Sequence, residues 1–513
     1  VDFLVVGGGI QGAAIARELA LRGADVLLVE KHDFAAGTSS RSSRLVHGGV
    51  RYLEHLHLGL VREALHEREI LLRTAPHWVR PLPMLMPFFR GEGRSRFVLR
   101  AGLALYALLA GRSTLPRPVG YSAEDCLRLV PALRRRGLLG GALYHDAVTE
   151  DCRLTLGVVA AAHRAGARVA NHAEVVGASA AGVRLRDHLF DAEVVVQPRA
   201  TVNAAGPHVD TVRRALGIDA PPLVRISRGS HLVLPAHAFG GDVHTAIAAF
   251  LPDRRIQFVI PHPRGVVCGT TEVDDEARGE WPSVPEDDVR YLLAALQYLL
   301  ESPPPRAEVR FGYSGWRALP ARTGPAGALH REASVVDERG NAGAVHSVVG
   351  GKLTTHRAFA ERVATRLAGA EGPSRSRHEP LPGGEGPAEP TDPLWLRHGS
   401  LAARVRARAR GERGLLVPFL SGRDLIGAEV AFAVEEQGAV TFADVMLRRL
   451  FQVDGPPLAA ADVDAAFALF ARFRPAGLPP LDEARERAAF AEQVASTTGA
   501  LGISVDAAAR PRT

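Results

Sequence analysis

The feature that most constrains the fold is a glycine-rich turn near the start of the chain. Residues 3–6 form a continuous apolar run, and Gly7, Gly9 and Gly12 follow it with the spacing G-x-G-x-x-G. A helical pattern comes next, and then a second apolar run that ends at Glu30. Short continuous apolar runs are typical of parallel strands that are buried on both faces. The pattern therefore predicts the first βαβ unit of a Rossmann-like sheet.

This unit also predicts a bound dinucleotide. The glycines let the backbone turn tightly and approach a pyrophosphate at the N-terminus of the helix, where the helix dipole favours an anion. Glu30 stands where its carboxylate can accept hydrogen bonds from both ribose hydroxyls, and it would repel a 2′-phosphate, which disfavours NADP. Glycine is common in the chain, with 52 residues, so a purely structural glycine turn is the alternative interpretation.

Two further segments of αβ character lie far from the first. Residues 154–206 have the pattern of a helix, strands and a buried run, and residues 345–361 have that of a strand, a glycine pair and a helix. A simple NAD-dependent dehydrogenase usually completes its nucleotide domain in one stretch. The interrupted layout is typical of FAD-dependent oxidoreductases, so FAD is favoured over NAD.

The intervening segments have a different composition. Residues 224–317 contain strand-like runs suited to an antiparallel sheet, residues 380–393 are rich in Pro and Gly, and residues 394–490 are mostly helical in pattern. We predict an α/β fold, α+β overall: an interrupted Rossmann-like FAD-binding domain, a mainly antiparallel β substrate domain and a C-terminal helical domain. The predicted boundaries are 1–80, 150–215 and 318–370 for the FAD-binding domain, 81–149 and 216–317 for the substrate-binding domain, 371–393 for a linker, and 394–513 for the helical domain.

A polar segment, TSSRSSRLVHGGVRYLE at residues 38–54, follows the first βαβ unit. Its hydroxyl groups could line the ribityl and pyrophosphate parts of a flavin cofactor, and its glycine pair could bring the backbone close to a ring. A solvated Ser/Arg loop is the alternative that composition alone allows. The hydroxyl-bearing residues are Thr38, Ser39, Ser40, Ser42 and Ser43.

Composition restricts the possible partners and compartment of the protein less strongly than the motifs do. The formal net charge of +6 favours anionic partners, although the arginine-rich composition of a GC-rich genome would explain it equally well. Cys126, Cys152 and Cys268 are far apart and fit neither a disulfide framework nor a zinc pattern, so a reducing compartment and no metal are expected. We expect no nucleic-acid partner, no signal peptide and no transmembrane helix.

In its longer motifs the chain resembles the membrane-associated, respiratory FAD-dependent glycerol-3-phosphate dehydrogenases. The resemblance covers most of the chain in order, through VVGGGIQGAAIARELALRG, DFAAGTSSRSSRLVHGGVRYLE, RGSHLVLP, CGTTEVD, YSGWRALP and VVGGKLTTHRAFAE. It implies an enzyme that oxidises sn-glycerol 3-phosphate to dihydroxyacetone phosphate. In such a reaction a hydride leaves C2 for flavin N5 while a base removes the C2 hydroxyl proton, and the family passes the electrons to a membrane quinone.

The resemblance also implies site residues. A histidine is the natural base near neutral pH, which favours His231, and Arg317 would stabilise the developing ketone oxygen. His47 is the third catalytic candidate, and the division of labour among the three stays open. The predicted substrate contacts are Arg51, Tyr52, Arg317, Arg331 and Lys352, whose cations suit a phosphate dianion. The predicted cofactor contacts are Gly7, Gly9, Gly12, Glu30, Thr38, Ser39, Ser40, Ser42, His47, Gly48, Val175, Ala205, Gly206, Gly351, Lys352, Leu353 and Thr354.

Three positions depart from the family pattern. His208 stands where the family has an aromatic residue, His356 stands where tyrosine is usual, and Gln11 replaces a common asparagine. None of them removes a predicted substrate contact. The flavin environment and the redox potential are therefore expected to differ.

Residues 96–112, RFVLRAGLALYALLAGR, have an apolar centre between arginines. Such a segment could lie in the membrane interface, with Leu105 and Leu109 on its apolar side, or it could be a buried helix of the substrate domain. The resemblance implies a cytoplasmic protein on the inner face of the cell membrane. Alternatives to the dehydrogenase are an FAD-dependent oxidase of glycerol phosphate or of another small hydroxy or amino acid, and a non-catalytic flavin-binding sensor. A homodimer is left open.

Overall fold

The computed structural model of the chain describes residues 1–50, 53, 57–91, 96–241, 243–253, 255–263, 265–276, 279–321, 333–369, 374–450 and 458–503. Three residues predicted to contact the substrate, Arg51, Tyr52 and Arg331, lie outside the described residues.

The strands come first in the description because they position the site. They are β1 (Phe3–Val6), β2 (Val26–Val29), β3 (Leu45–Val46), β4 (Val79–Phe89), β5 (Val119–Tyr121), β6 (Leu138–Thr149), β7 (Arg168–Ala170), β8 (Ala173–Ser179), β9 (Gly182–Asp187), β10 (Ala192–Val196), β11 (Ala200–Asn203), β12 (Val224–Leu234), β13 (Ala246–Phe250), β14 (Ile256–His262), β15 (Gly265–Gly269), β16 (Val273–Asp275), β17 (Phe311–Pro320), β18 (Ser334–Gly340) and β19 (Gly343–Val349).

The helices connect and cover these strands. They are α1 (Ile10–Leu21), α2 (Leu58–Thr74), α3 (Arg96–Ala110), α4 (Ala123–Leu129), α5 (Asp151–Arg164), α6 (Val209–Ala215), α7 (Glu286–Leu299), α8 (His356–Ala368), α9 (Pro393–His398), α10 (Ala402–Ala407), α11 (Gly427–Glu436), α12 (Phe442–Asp444), α13 (Ala460–Phe473) and α14 (Glu483–Thr498).

A parallel sheet is assembled from distant parts of the chain. Its strand order is β18-β19-β11-β1-β2-β7, and all pairs are parallel except β18 with β19. The strand at residues 3–6 is buried along its whole length, because α1, α5 and α8 cover one face of the sheet while α6 and the antiparallel sheet β10-β9-β8 cover the other. The predicted interrupted Rossmann-like domain is confirmed.

The second large sheet has the order β16-β12-β15-β14-β13-β4-β6-β3, with β17 beside β12 and β5 beside β6. Its pairs are antiparallel except β13 with β4. The mainly antiparallel substrate domain that the alternating patterns predicted is therefore confirmed. β12 and β17 are paired along their length, with Ser227 opposite Arg317 and His231 opposite Tyr313.

The helices from α9 to α14 form the C-terminal part of the described chain, as predicted. Phe442, Phe467, Phe470 and Phe490 meet at its centre with edge-on or tilted rings. A buried ion pair between Arg449 and Asp33 joins this part to the loop that follows β2. The helical part is therefore bound to the nucleotide domain through charged groups as well as through the chain.

The segment predicted as a linker lies against the nucleotide domain. Leu381 is buried, and its backbone N–H donates to the carbonyl of Thr74 at 2.8 Å. Cys126, Cys152 and Cys268 are free and buried thiols. Within the described ranges, no helix has both the length and the apolar content needed to cross a bilayer.

Candidate active site

A cavity of about 780 Å³ lies where the parallel sheet meets the antiparallel one. Residues that follow β1, β2, β11 and β19 line one side of it, so it sits at the carboxyl ends of the parallel strands, where ligands bind in this kind of sheet. Residues of β4, β6, β12, β14 and β17 line the other side. The two domains therefore share one site.

The glycine turn places backbone N–H groups at the edge of this cavity. Gly7 has a φ of +109°, and a Cβ atom on it would lie 2.6 Å from the carbonyl oxygen of Ala204. A Cβ atom on Gly12 would lie 2.0 Å from the carbonyl oxygen of Gly7, so Gly12 serves close packing and does not line the cavity. Gly9 does line it. The turn leaves the N-terminus of α1 open to an anion.

Glu30 holds the turn and faces the cavity at the same time. Its carboxylate accepts hydrogen bonds from the backbone N–H groups of Gly8 (2.7 Å) and His32 (3.0 Å). Desolvation by burial raises the pKa of this carboxyl. A carboxylate has about four acceptor positions, so positions remain for ribose hydroxyls. β8 runs beside it, since the N–H of Ala173 donates to the carbonyl of Glu30 at 2.8 Å, and it brings Val175 into the cavity wall.

The hydroxyl groups after the first βαβ unit are used mainly by the protein itself. Ser39 Oγ accepts from the N–H of Ile10 at 2.9 Å, at the start of α1. Thr38 Oγ1 donates to the carbonyl of Trp316 at 2.6 Å. Both residues line the cavity, whereas Ser40 does not, because its exposed hydroxyl donates back to the carbonyl of residue 37 at 3.2 Å.

The next two serines hold the segment against other parts of the site. Ser42 Oγ donates to Asp151 Oδ2 at 2.7 Å, at the start of α5. Ser43 Oγ lies 2.8 Å from His231 Nε2. Both serines line the cavity, but the hydroxyl hydrogen of Ser42 is directed to a protein carboxylate. The sequence predicted a cofactor contact for Ser42, and the structure adds a second role, that of anchoring the loop.

His231 is the buried histidine of the site. Its ring is 2% exposed and stacks on Tyr313 with centroids 4.9 Å apart. Burial, followed by the charges of Arg317 and Arg44, holds the pKa of His231 well below its usual range. Among the described residues, no group hydrogen bonds to its Nδ1 atom. The imidazole is therefore neutral near pH 7 and keeps proton-accepting capacity.

Arg317 lies beside His231 on the neighbouring strand. Its guanidinium donates to Thr270 Oγ1 at 2.8 Å and to the carbonyl of Thr271 at 3.2 Å. A Cβ atom on Gly229 would lie 2.0 Å from Nη2 of Arg317, so only glycine leaves room for the guanidinium there. Gly229 and Arg317 both line the cavity.

The glycine pair after β19 carries the remaining predicted contacts. Gly351, Lys352, Leu353 and Thr354 line the cavity, as do Ala205 and Gly206 after β11. Gln11 Nε2 donates to the carbonyl of Lys352 at 3.2 Å, which ties this turn to the start of α1.

His47 is joined to the same turn. Its backbone N–H donates to Thr354 Oγ1 at 3.2 Å, and its ring meets Phe258 edge-on at 6.3 Å. His47 lines the cavity, but Gly48 does not. The N–H of Gly48 instead donates to the hydroxyl of Tyr106 at 2.8 Å, inside the core of the substrate domain.

Arg41 was not predicted to contact the cofactor. It lines the cavity, is 7% exposed, and donates from Nη2 to Thr497 Oγ1 at 3.3 Å. Burial and then the charge of Arg448 lower the pKa of Arg41 to about 9. Among the described residues, no carboxylate pairs with Arg41, and its Nε and Nη1 atoms have no hydrogen-bond partner. A buried cation without a counter-ion fits an anion held in the cavity.

An apolar wall forms another part of the cavity. The alternating patterns predicted the strands that carry it but could not show which side chains face the site. Its members are Val50, Met86, Tyr144, Ala248, Ile256 and Phe258.

The chain is similar to proteins of known class. A family model described as FAD dependent oxidoreductase matches residues 2–357. Glycerol-3-phosphate dehydrogenase 2 of Mycobacterium bovis is 34% identical over 477 residues, which cover 88% of this chain and 80% of the relative. Glycerol-3-phosphate dehydrogenase of Synechocystis sp. is 33% identical over 487 residues, which cover 87% of this chain and 88% of the relative.

A solved structure is similar to the chain in its fold. The crystal structure of the glycerol-3-phosphate dehydrogenase from Bacillus halodurans, complexed with FAD, superposes with a TM-score of 0.69 at 27% sequence identity. The match covers 88% of this chain and 85% of that one. The similarity therefore extends through the C-terminal helices.

Proposed function

The chain belongs to the family of FAD-dependent glycerol-3-phosphate dehydrogenases, and we propose that it oxidises sn-glycerol 3-phosphate to dihydroxyacetone phosphate and passes the electrons to a membrane quinone. The observation that carries this proposal is the shared cavity. It combines a dinucleotide turn with His231, Arg317 and Lys352.

The cavity residues fit FAD, which is the cofactor of this family. The N-terminus of α1 suits a pyrophosphate, and Glu30 has acceptor positions for the ribose. Arg41 supplies a buried cation that pairs with no carboxylate in the described part of the chain. When bound, FAD accepts the hydride that leaves C2 of the substrate.

The phosphate of the substrate accounts for the cations. A phosphate dianion is best held by converging guanidinium and ammonium groups, and both Arg317 and Lys352 line the cavity. The guanidinium of Arg317 is fixed by Thr270 and by the carbonyl of Thr271, so its direction is set before a substrate arrives. Arg317 would also stabilise the negative charge that develops on the C2 oxygen.

His231 would take the proton of the C2 hydroxyl. Its lowered pKa keeps the imidazole neutral, as a proton acceptor must be, but a lowered pKa also weakens a base. Burial is the largest cause of that lowering, and the charge of Arg317 is the next. A bound phosphate dianion would offset the charge of Arg317, so substrate binding would strengthen the base. His47 lines the same cavity and is the other candidate.

The proposed quinone acceptor is supported by the apolar wall. Met86, Ile256 and Phe258 offer no group that a polyol phosphate needs, whereas a quinone ring buries apolar surface. Oxygen is the alternative acceptor.

Membrane contact is supported by helix α3. Its inner face packs into the core through Leu99, Leu103 and Tyr106. Phe97 (68% exposed) and Leu108 (75% exposed) lie on its outer face. The inner face is thus that of a buried helix of the substrate domain, and the outer face would lie in the interface at the inner side of the cell membrane.

Anaerobic mixing of the FAD-loaded protein with sn-glycerol 3-phosphate tests the reaction. We expect bleaching of the flavin absorption band and formation of dihydroxyacetone phosphate. Bleaching by glycerol or by an amino acid, but not by glycerol 3-phosphate, would overturn the proposed substrate. Re-oxidation of the bleached protein by a soluble quinone should be faster than by dissolved oxygen, and the reverse order would identify an oxidase.

A further inference from the structure

Asp288 is a buried carboxylate on the first turn of α7, and it does not line the cavity. It is 4% exposed. Its Oδ2 atom accepts hydrogen bonds from the hydroxyl of Ser230, from Thr271 Oγ1 (3.0 Å) and from Nε of Arg228 (3.2 Å). One carboxylate oxygen therefore joins β12 to the segment that follows β15.

Two of these donors are chain neighbours of residues in the site. Ser230 directly precedes His231 on β12. The carbonyl of Thr271 accepts from Arg317, and the hydroxyl of Thr270 accepts from the same guanidinium. Asp288 thus holds the residue next to His231 and also the segment that binds the guanidinium of Arg317.

The network extends to the strand that carries Arg317. Ser230 Oγ lies 2.7 Å from Ser314 Oγ on β17, three residues before Arg317. The backbone N–H of Ser230 donates to Thr271 Oγ1 at 2.8 Å, so the Thr271 hydroxyl accepts from one site segment while it donates to Asp288. The hydroxyl groups of Ser230 and Thr271 keep a fixed direction only while the carboxylate of Asp288 accepts their hydrogen bonds.

We propose that Asp288 is a positioning residue for the oxidation reaction, holding His231 and Arg317 in the mutual geometry that acts on the C2 hydroxyl. The inference rests on the proposed function, since it takes the roles of these two residues from there. An amide in place of the carboxylate would remove the negative charge from the acceptor that these three donors share, so their charge-assisted hydrogen bonds would weaken and the network would loosen. The guanidinium and the imidazole would then be displaced, although both remain present.

A purely structural role offers a different account. Asp288 also pairs with Arg228, and Arg228 has a second carboxylate partner in Asp275, at 2.9 Å from Nη1. If Asp288 served only as a counter-ion, loss of Asp275 would have a similar effect. Asp275 has no hydrogen bond to Ser230 or Thr271, which makes Asp275→Asn the matched control.

The test compares Asp288→Asn, Asp275→Asn and Thr271→Val in the FAD-loaded protein, with anaerobic flavin reduction measured per bound flavin against glycerol 3-phosphate concentration and pH. For Asp288→Asn we expect the limiting reduction rate to fall on the order of 100-fold with retained flavin, since small displacements of reacting groups cost about that much. Thr271→Val should reproduce part of this loss, and Asp288→Glu should restore part of it. Asp275→Asn should remain near the wild-type rate.

Several outcomes would overturn the inference. One is an equal loss in Asp288→Asn and Asp275→Asn, and another is a lowered Tm or flavin content with an unchanged reduction rate per bound flavin. If Asp288→Asn does not fold, a wild-type rate in Thr271→Val would reject the positioning role. Failure of the proposed function is visible separately, because glycerol 3-phosphate would then leave the wild-type flavin oxidised.

Discussion

Ser43 Oγ lies 2.8 Å from Nε2 of His231, although 188 positions separate the two residues. The contact joins the serine-rich segment after the first βαβ unit to β12 of the substrate domain. It fixes the ring orientation of His231 and leaves Nδ1 as the ring atom without a hydrogen-bond partner among the described residues. The serine-rich segment therefore helps to set the orientation of the proposed base.

Replacement of His231 by Gln should slow flavin reduction by glycerol 3-phosphate by about 10²- to 10⁴-fold, the usual contribution of a general base. FAD should stay bound, because the predicted cofactor contacts are other residues. Stopped-flow reduction under anaerobic conditions measures the rate. His47→Gln is the comparison variant and should lose less. Full reduction rates in His231→Gln across the pH range would exclude His231 as the base.

Gly229→Ala should displace Arg317 without removing it. The new Cβ atom would lie 2.0 Å from Nη2, so the guanidinium has to move away from the cavity wall. We expect kcat/KM to fall on the order of 100-fold. Gly102→Ala on α3 is the control, because no atom of the described residues lies within 4 Å of a Cβ atom there. Equal activity in the two variants would show that the position of Arg317 does not matter.

Arg41→Met should stabilise the apo-protein against unfolding and weaken its binding of FAD. Removing a buried charge that has no carboxylate partner among the described residues should raise the Tm of the apo-protein. FAD affinity should weaken by about 1.5–3 kcal/mol, or on the order of 10- to 100-fold in Kd, because charge-assisted hydrogen bonds to the pyrophosphate are lost. Fluorescence titration and thermal unfolding with and without FAD measure both effects. An unchanged FAD-induced rise in Tm would contradict the role of Arg41.

His356 should make stability depend on pH. Burial lowers its pKa to about 4, while its Nδ1 atom donates to the carbonyl of Leu353 at 2.7 Å. Since an unfolded histidine has a pKa of about 6.5, the unfolded state binds one more proton between pH 6.5 and 4, and stability falls as the pH drops through that window.

The size of this effect is about 1.4 kcal/mol per pH unit. Replacement of His356 by Gln should therefore flatten the acid side of the curve of unfolding free energy against pH by that slope, whatever it does to the stability at pH 7. Denaturant unfolding of the FAD-loaded protein between pH 6.5 and 4.5 gives the slopes. Parallel curves for the wild type and the variant would disprove the assignment.

The outer face of α3 should bind anionic membranes. Changing Phe97 and Leu108 together to Glu removes two apolar side chains worth about 1.5 kcal/mol or more each when buried, so vesicle affinity should fall on the order of 100-fold. Co-sedimentation with phosphatidylglycerol vesicles measures it. Phe190, in the turn between β9 and β10, and Val194, on β10, are each 53% exposed and provide the matched control when changed to Glu. Undiminished sedimentation of the α3 variant would rule out the interface.

Local sequence patterns were sufficient to predict part of the fold. The strand, glycine turn and helix at residues 3–21 are consecutive in sequence, so spacing and periodicity alone predicted them. The partners of β1 come from residues 200–203 and 26–29, and only the buried apolar character of these runs indicated that they belong to one sheet.

Side-chain partners that are distant in sequence were not predictable. No sequence pattern near Ser42 or Ser43 indicates that their hydroxyl groups contact Asp151 and His231. The burial of Arg41 depends on Trp281 and Thr497, which come from two other domains of the chain. Leu105 and Leu109 looked lipid-facing in the sequence, but they pack against the core, because the direction of a helix face is fixed by its tertiary neighbours.

The order of strands in the parallel sheet determines when each strand can pair during synthesis. β1 has to wait for β11 at residues 200–203, and β11 has to wait for β19 at residues 343–349. At ribosomal rates of about 5–20 residues per second, one hydrogen-bonding edge of β1 stays open for roughly 10–40 s after it leaves the ribosome. A truncated product that stops before β19 would therefore contain the glycine turn while one edge of β11 lacks its parallel partner.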